Sequence, residues 1–189
     1  MRRLLAVALL IPALVFAQWA ENTSARLGIL ALQVELLGQG RVLLVGDSQT
    51  QFFWWSTVGG CNVLNAGMGG ATSADVAAAA PGMAAIVRPA LVHLMIGTND
   101  MLGGVDPKVT ALNVAAIVRA FAPTPVVLWP IPVGGVTNAA LSTTPGVYWD
   151  WWWPTQVSLG PDGVHLSATS QVTRDYRIVQ WQEYLGVPC

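Results

Sequence analysis

Charge is scarce in this chain. Asp, Glu, Lys and Arg make up only 10% of its 189 residues, where about a quarter is ordinary. Nine basic and ten acidic residues leave a formal net charge of -1, so there is no basic face for nucleic acid. There are two cysteines, Cys61 and Cys189, which allow one bridge at most and no zinc pattern. The two histidines, His93 and His165, are the only imidazoles available to any acid–base chemistry. A Gly-rich phosphate loop and an internal repeat are also missing.

Apolar residues are abundant, at 53%. The length suits one domain with a full core. Part of the apolar excess lies at the N-terminus. Met1-Arg2-Arg3 is a basic head, Leu4 to Phe16 is an apolar run, and Val15-Phe16-Ala17 fits a small-residue cleavage site. This is the layout of a signal peptide spanning residues 1–17, followed by a single domain over 18–189. The run is short for a membrane span; an uncleaved anchor is the alternative. The expected location is therefore secreted or periplasmic, with no stable membrane span after cleavage. An oxidising compartment favours a Cys61–Cys189 disulfide; two free buried thiols would fit a cytosolic protein.

The pattern of elements alternates. Helical spacing covers 21–37 and ends at Gly38-Gln39-Gly40. Buried strands are expected at 41–45, 61–65, 90–96 and 126–129, with a short fifth at 147–151. Helices are expected at 51–57, 73–87 with a kink or break at Pro81, 107–120 with Pro at the first turn, and 167–185. Apolar strands alternating with helices predict a parallel sheet covered on both faces. Sites in such sheets form at the carboxyl ends of the strands. The polar clusters fall there: Asp47-Ser48, Asn65 to Gly70, and Thr98-Asn99-Asp100. A fourth cluster, Asp162-Gly163-Val164-His165, precedes the last helix.

Ser48 is the candidate nucleophile, and a serine hydroxyl needs a base. His93 lies inside an apolar strand, where a core role is expected. His165 lies in a loop with Asp162 three residues earlier, within reach of its ring. Taken alone, Asp162-Gly163 would read as an ordinary turn. Acyl transfer also needs donors aimed at the developing oxyanion. The glycine-rich loop 65–70 and the Asn99 amide can supply them.

Four blocks in order resemble the GDSL-like SGNH hydrolases: Gly46-Asp47-Ser48, then Asn65-Ala66-Gly67-Met68-Gly69-Gly70-Ala71-Thr72, then Gly97-Thr98-Asn99-Asp100, then Asp162-Gly163-Val164-His165-Leu166. The resemblance spans 41–185. It implies a three-layer α/β/α flavodoxin-like sandwich with a mostly parallel sheet of about five strands. It implies Ser48 as nucleophile, His165 as base and Asp162 as the acid that orients it. The oxyanion hole would be the Ser48 N–H, the Gly70 N–H and the Asn99 side chain, with Gly67 as fallback for Gly70. Asp47 and Asp100 would hold their loops. No metal or organic cofactor is needed. There are two departures from the pattern: Gln49 stands where leucine usually follows the serine, and Leu166 follows His165 where proline is common.

Nine tryptophans are present. Trp54, Trp151 and Trp153 are candidates for a substrate platform, with core packing as the plain alternative. Tyr148-Trp149-Asp150-Trp151 resembles SGNH domains that handle O-acetyl groups on polysaccharides. The expected activity is a serine esterase removing small acyl groups, acetyl foremost, from a carbohydrate or other small-molecule ester. Lipase-like action on short lipid esters, an acyltransferase, and a non-catalytic glycan-binding protein are the alternatives.

Overall fold

A strand that is apolar at every position needs cover on both faces, and this chain supplies it. The computed structural model describes residues 23–38, 42–53, 57–151 and 157–187. Six strands form one sheet in the order β2-β3-β1-β4-β5-β6. They are β1 (Val42–Gly46), β2 (Thr57–Val58), β3 (Cys61–Gly67), β4 (Leu91–Met95), β5 (Val126–Leu128) and β6 (Val147–Trp149). All pairings are parallel except that of β2 with β3.

Side chains alternate between the two faces. Leu43, Val45, Leu64, Val92 and Leu94 join one apolar cluster with Leu30 of α1 (23–37), Val76 and Met83 of α3 (Ser73–Val87), and Val114 and Ile117 of α5 (Pro107–Phe121). Val42, Leu44, Leu91, Met95 and Val127 join a second cluster with Phe53 and Ile178, the latter on α7 (Ala168–Leu185). The result is the expected three-layer α/β/α sandwich.

The differences from expectation are local. The sheet has a sixth strand, the two-residue β2, on its edge. In place of the expected helix over 51–57, the helix is α2 (Ser48–Gln51), and Thr57 already belongs to β2. Two short helices were not anticipated: α4 (Thr98–Leu102) and α6 (Gly135–Leu141). α3 runs through Pro81 without ending. Pro81 is exposed, so the carbonyl it leaves without a donor, that of Ala77, can turn to water.

Cys61 is buried and disulfide-bonded; Cys189 lies outside the described residues, as do the expected signal peptide, Trp54 and Trp153. Among the described residues no helix is long and apolar enough to cross a membrane.

Candidate active site

The three central strands bring the polar clusters together. β1 pairs with β3 and β4 so that Gly46 lies opposite both Gly67 and Met95. The chain is tightly packed there. A Cβ on Gly46 would lie 2.0 Å from the Met95 carbonyl oxygen, and one on Gly67 would lie 2.2 Å from the Gln51 nitrogen. Both positions require glycine for close approach of backbones.

Beyond Gly46, Asp47 turns strand into helix. Its Oδ1 accepts the Gln49 N–H at 2.9 Å, the capping bond of a helix start. Ser48 thus becomes the first residue of α2, at the carboxyl end of a central strand. Asn65 on β3 ends the same helix, its amide donating to the carbonyls of Thr50 (2.9 Å) and Phe53 (2.7 Å). Sequence reasoning placed Asn65 only at the head of the glycine block; its partners come from a different strand–helix unit.

The loop 160–167 supplies the other half. Ser48 Oγ lies 2.8 Å from His165 Nε2. His165 Nδ1 lies 2.6 Å from Asp162 Oδ2. Asp162 Oδ1 accepts the backbone N–H groups of Val164 (3.0 Å) and His165 (2.9 Å). The hydrogen bond from His165, with those two N–H groups, holds the Asp162 carboxyl down at about 2. A carboxylate facing Nδ1 favours the tautomer with its proton there, which leaves Nε2 to accept the Ser48 hydroxyl proton. The Phe52 ring meets His165 edge-on at 5.2 Å.

The third cluster lies alongside. Met68 donates its N–H to Gly46 O at 2.9 Å, which lays the glycine loop beside the nucleophile strand. In this loop the Gly67 N–H is taken by Asn65 Oδ1, the Gly69 N–H by Gln51 Oε1 and the Ala71 N–H by Met68 O. The Gly70 N–H has no acceptor among the described residues, and Gly70 has a φ of +76° that glycine tolerates. Asn99, on α4, donates to Ala71 O at 2.8 Å, which carries its amide to the peptide next to Gly70. Asp100 is buried and accepts from the Ser73 N–H (2.8 Å), the Ser73 hydroxyl (2.5 Å) and the Thr110 hydroxyl (3.3 Å). It ties α4 to α3 and α5.

Beneath α2 sits a fully buried arginine that the sequence did not flag. Arg174 donates to Gln49 O (3.0 Å) and to Thr50 Oγ1 (3.2 Å). Its guanidinium stacks near the rings of Phe53 and Trp129. Burial lowers it to about 10, against the pull of Asp47. Burial also pushes the Asp47 carboxyl up to about 6, against the Gln49 N–H, Thr98 and Arg174. His93 is buried in β4 and accepts from Trp129 Nε1 at 2.8 Å. Burial, with Arg174 and Arg177 nearby, holds its imidazole well below the usual range. It is a neutral core residue, as its strand position suggested.

Of the three candidate platform tryptophans, Trp151 is the one that lies among the described residues. Trp151 is 74% exposed and lines a groove of about 720 Å³ with Tyr176, Arg177, Gln180, Trp181 and Tyr184. It lies two residues beyond β6, a strand three places from β1 in the sheet, roughly 14 Å at ordinary strand spacing. Asp150 beside it is buried. It pairs with Arg177 through both oxygens (2.8 and 3.1 Å) and accepts from Trp181 Nε1 (2.8 Å). Within Tyr148-Trp149-Asp150-Trp151, Asp150 therefore anchors α7 to the sheet edge.

Residues 44–151, more than half of the chain, match the model of the GDSL-like lipase/acylhydrolase family. No curated protein matches the chain. Among solved structures, the fold is similar to that of TesA, with 24% identity, TM-score 0.64, and coverage of 76% of this chain and 98% of that one. It is also similar to a GDSL-like lipase from Bacteroides thetaiotaomicron, with 17% identity, TM-score 0.65, and coverage of 78% and 89%. A lipase/acylhydrolase from Enterococcus faecalis shows 17% identity, TM-score 0.57, and coverage of 75% and 95%.

Proposed function

The chain belongs to the GDSL-like lipase/acylhydrolase family and is a carboxylic ester hydrolase, and from that premise we propose that it cleaves small acyl esters, acetyl foremost, carried on a carbohydrate. The observation that carries the mechanism is the relay Ser48 Oγ–His165 Nε2–Asp162, at 2.8 and 2.6 Å. In this reading His165 takes the Ser48 proton as Oγ attacks the ester carbonyl. The tetrahedral oxyanion is met by the N–H groups of Ser48 and Gly70 and by the Asn99 amide. His165 then protonates the leaving alcohol. Water repeats the sequence on the acyl-enzyme, with His165 again as base. Asp162 keeps the imidazole in the productive tautomer and stabilises the imidazolium.

The openness of the site supports a bulky alcohol. The side chains of His165 and Asp162 are 34% and 52% exposed, so a polymer chain can lie across the rim with only its acyl group at Ser48. Lipid esters are the second reading. Phe52 is half exposed and packs against His165, which gives a short acyl chain an apolar wall. Export through residues 1–17 remains part of the proposal and brings the protein to extracellular glycans.

Hydrolysis of p-nitrophenyl acetate, butyrate and octanoate, with Ser48→Ala alongside, tests this. Turnover that falls with chain length and vanishes in the variant is expected. A preference for octanoate selects the lipid reading. Activity in Ser48→Ala comparable to that of the parent overturns the relay.

A further inference from the structure

The residue after the nucleophile is a buried glutamine, and its side chain reaches across 117 positions of sequence. Gln49 is 1% exposed. Its Nε2 donates to Val164 O at 2.7 Å, and its Oε1 accepts the Leu166 N–H at 3.0 Å. These are the residues on either side of His165. A residue in a parallel strand pair bonds in the same way, to the C=O before and the N–H after its partner. The amide of Gln49 thus acts as one rung of parallel sheet laid opposite the candidate base.

We infer that Gln49 is a positioning residue for the ester-cleaving reaction: it fixes the loop that carries His165 against the turn that carries Ser48. The three hydrogen bonds to Asp162 cannot do this. Asp162 bonds to His165 and Val164, all on one loop, so it orients the ring within that loop and leaves the loop's distance from Ser48 undetermined. Gln49 spans the gap. Its own backbone is held at both ends, the N–H by Asp47 and the carbonyl by Arg174. A rigid, neutral amide therefore transmits the position of α2 to the two peptides flanking His165, without adding charge beside the imidazole.

The two departures from the family pattern are the two ends of one of these bonds. A proline after His165 would have no N–H to give, and a leucine after Ser48 would have no oxygen to receive it. Gln49 and Leu166 are consistent as a pair, and either one combined with the usual residue at the other position leaves a buried polar group unpartnered.

The inference rests on the Ser48–His165 relay, and the test separates the two. Steady-state kinetics on p-nitrophenyl acetate are measured for Gln49→Leu, Leu166→Pro and their double variant, beside Ser48→Ala and His165→Ala, with melting temperatures for all. Misplacing reacting groups by about 1 Å can cost on the order of a hundredfold. Gln49→Leu is expected to lower kcat about 10- to 100-fold with KM within about threefold. Leu166→Pro is expected to add little once Gln49 is gone, so the double variant falls short of the product of the single losses. If Gln49→Leu does not fold, the near-isosteric Gln49→Glu decides. It keeps the bond from Leu166, sets a carboxylate against Val164 O, and is expected to lower kcat and shift the acid limb of the rate profile. A folded Gln49→Leu or Gln49→Glu with kcat within about threefold of the parent overturns the inference, provided Ser48→Ala and His165→Ala are inactive. Activity in those last two overturns the relay itself, and the inference with it.

Discussion

Asn99 Nδ2 donates to the carbonyl oxygen of Ala71 at 2.8 Å. This bond uses one of the two amide hydrogens and fixes the plane of the other. The second hydrogen has no acceptor among the described residues. A donor held in this way costs no reorganisation as an oxyanion forms. Asn99→Ala is therefore expected to lower kcat roughly 10²–10³-fold on p-nitrophenyl acetate with little change in KM. A loss below about threefold would show that Asn99 only ties its helix to the glycine loop.

Asp47 predicts how stability varies with pH. Its carboxyl rises from 3.8 in the unfolded chain to about 6 in the fold, chiefly through burial. The native state then binds the extra proton between those values, so stability falls as pH rises from about 4 to about 6 and levels off above. The difference corresponds to at most about 3 kcal/mol. Asp47→Asn keeps an oxygen for the Gln49 N–H and removes the titration. Urea midpoints at pH 4, 5, 6 and 7.5 should decline for the parent relative to Asp47→Asn over that window. Parallel curves would mean that Arg174 compensates the buried charge.

Asp162 has the opposite sign and a lower window. Its carboxyl is held at about 2, so its contribution is present above the unfolded value of 3.8 and is lost as pH falls towards 2. It stays ionised throughout the window in which Asp47 titrates.

Asp150 predicts a stability effect without a catalytic one. It is fully buried, and its removal leaves Arg177 and the Trp181 N–H without their carboxylate. Breaking one side of a buried pair typically costs about 3 kcal/mol or more. Asp150→Ala should lower the urea midpoint accordingly while leaving kcat per folded molecule unchanged. A loss of kcat with normal stability would instead draw the Tyr148–Trp151 segment into the reaction.

Much of this molecule is legible along the chain because its signals are local. β1 is apolar at every position and β4 at every position but His93, and only a doubly covered strand is built that way. Thr72 and Asp75 form the capping box that opens α3, and a capping box is readable from four adjacent residues. The His165–Asp162 contact spans three positions, so a single turn suffices to make it.

The misplaced elements have non-local causes. α2 starts at Ser48 through its neighbour Asp47, but it stops where Asn65 of β3 captures its last carbonyls. Propensity alone extends the aromatic stretch into a longer helix. α6 depends on Asn138, whose side chain pairs with both the N–H and the carbonyl of Ile131. The Gly67 N–H, by contrast, is consumed locally, by the Asn65 side chain two residues earlier.

By itself, then, the sequence determined the layered architecture, the order of the polar clusters along the rim and the chemical types they offer. Periodicity and short motifs act over a few residues, within the range of local sterics and hydrogen bonding. Only the tertiary structure decided the 2.8 Å approach of Ser48 to His165, the Gln49 amide laid across the base loop, and the three-place separation of β6 from β1. These are relations between segments separated by about a hundred residues, and they are set by how the layers pack once the apolar faces are buried.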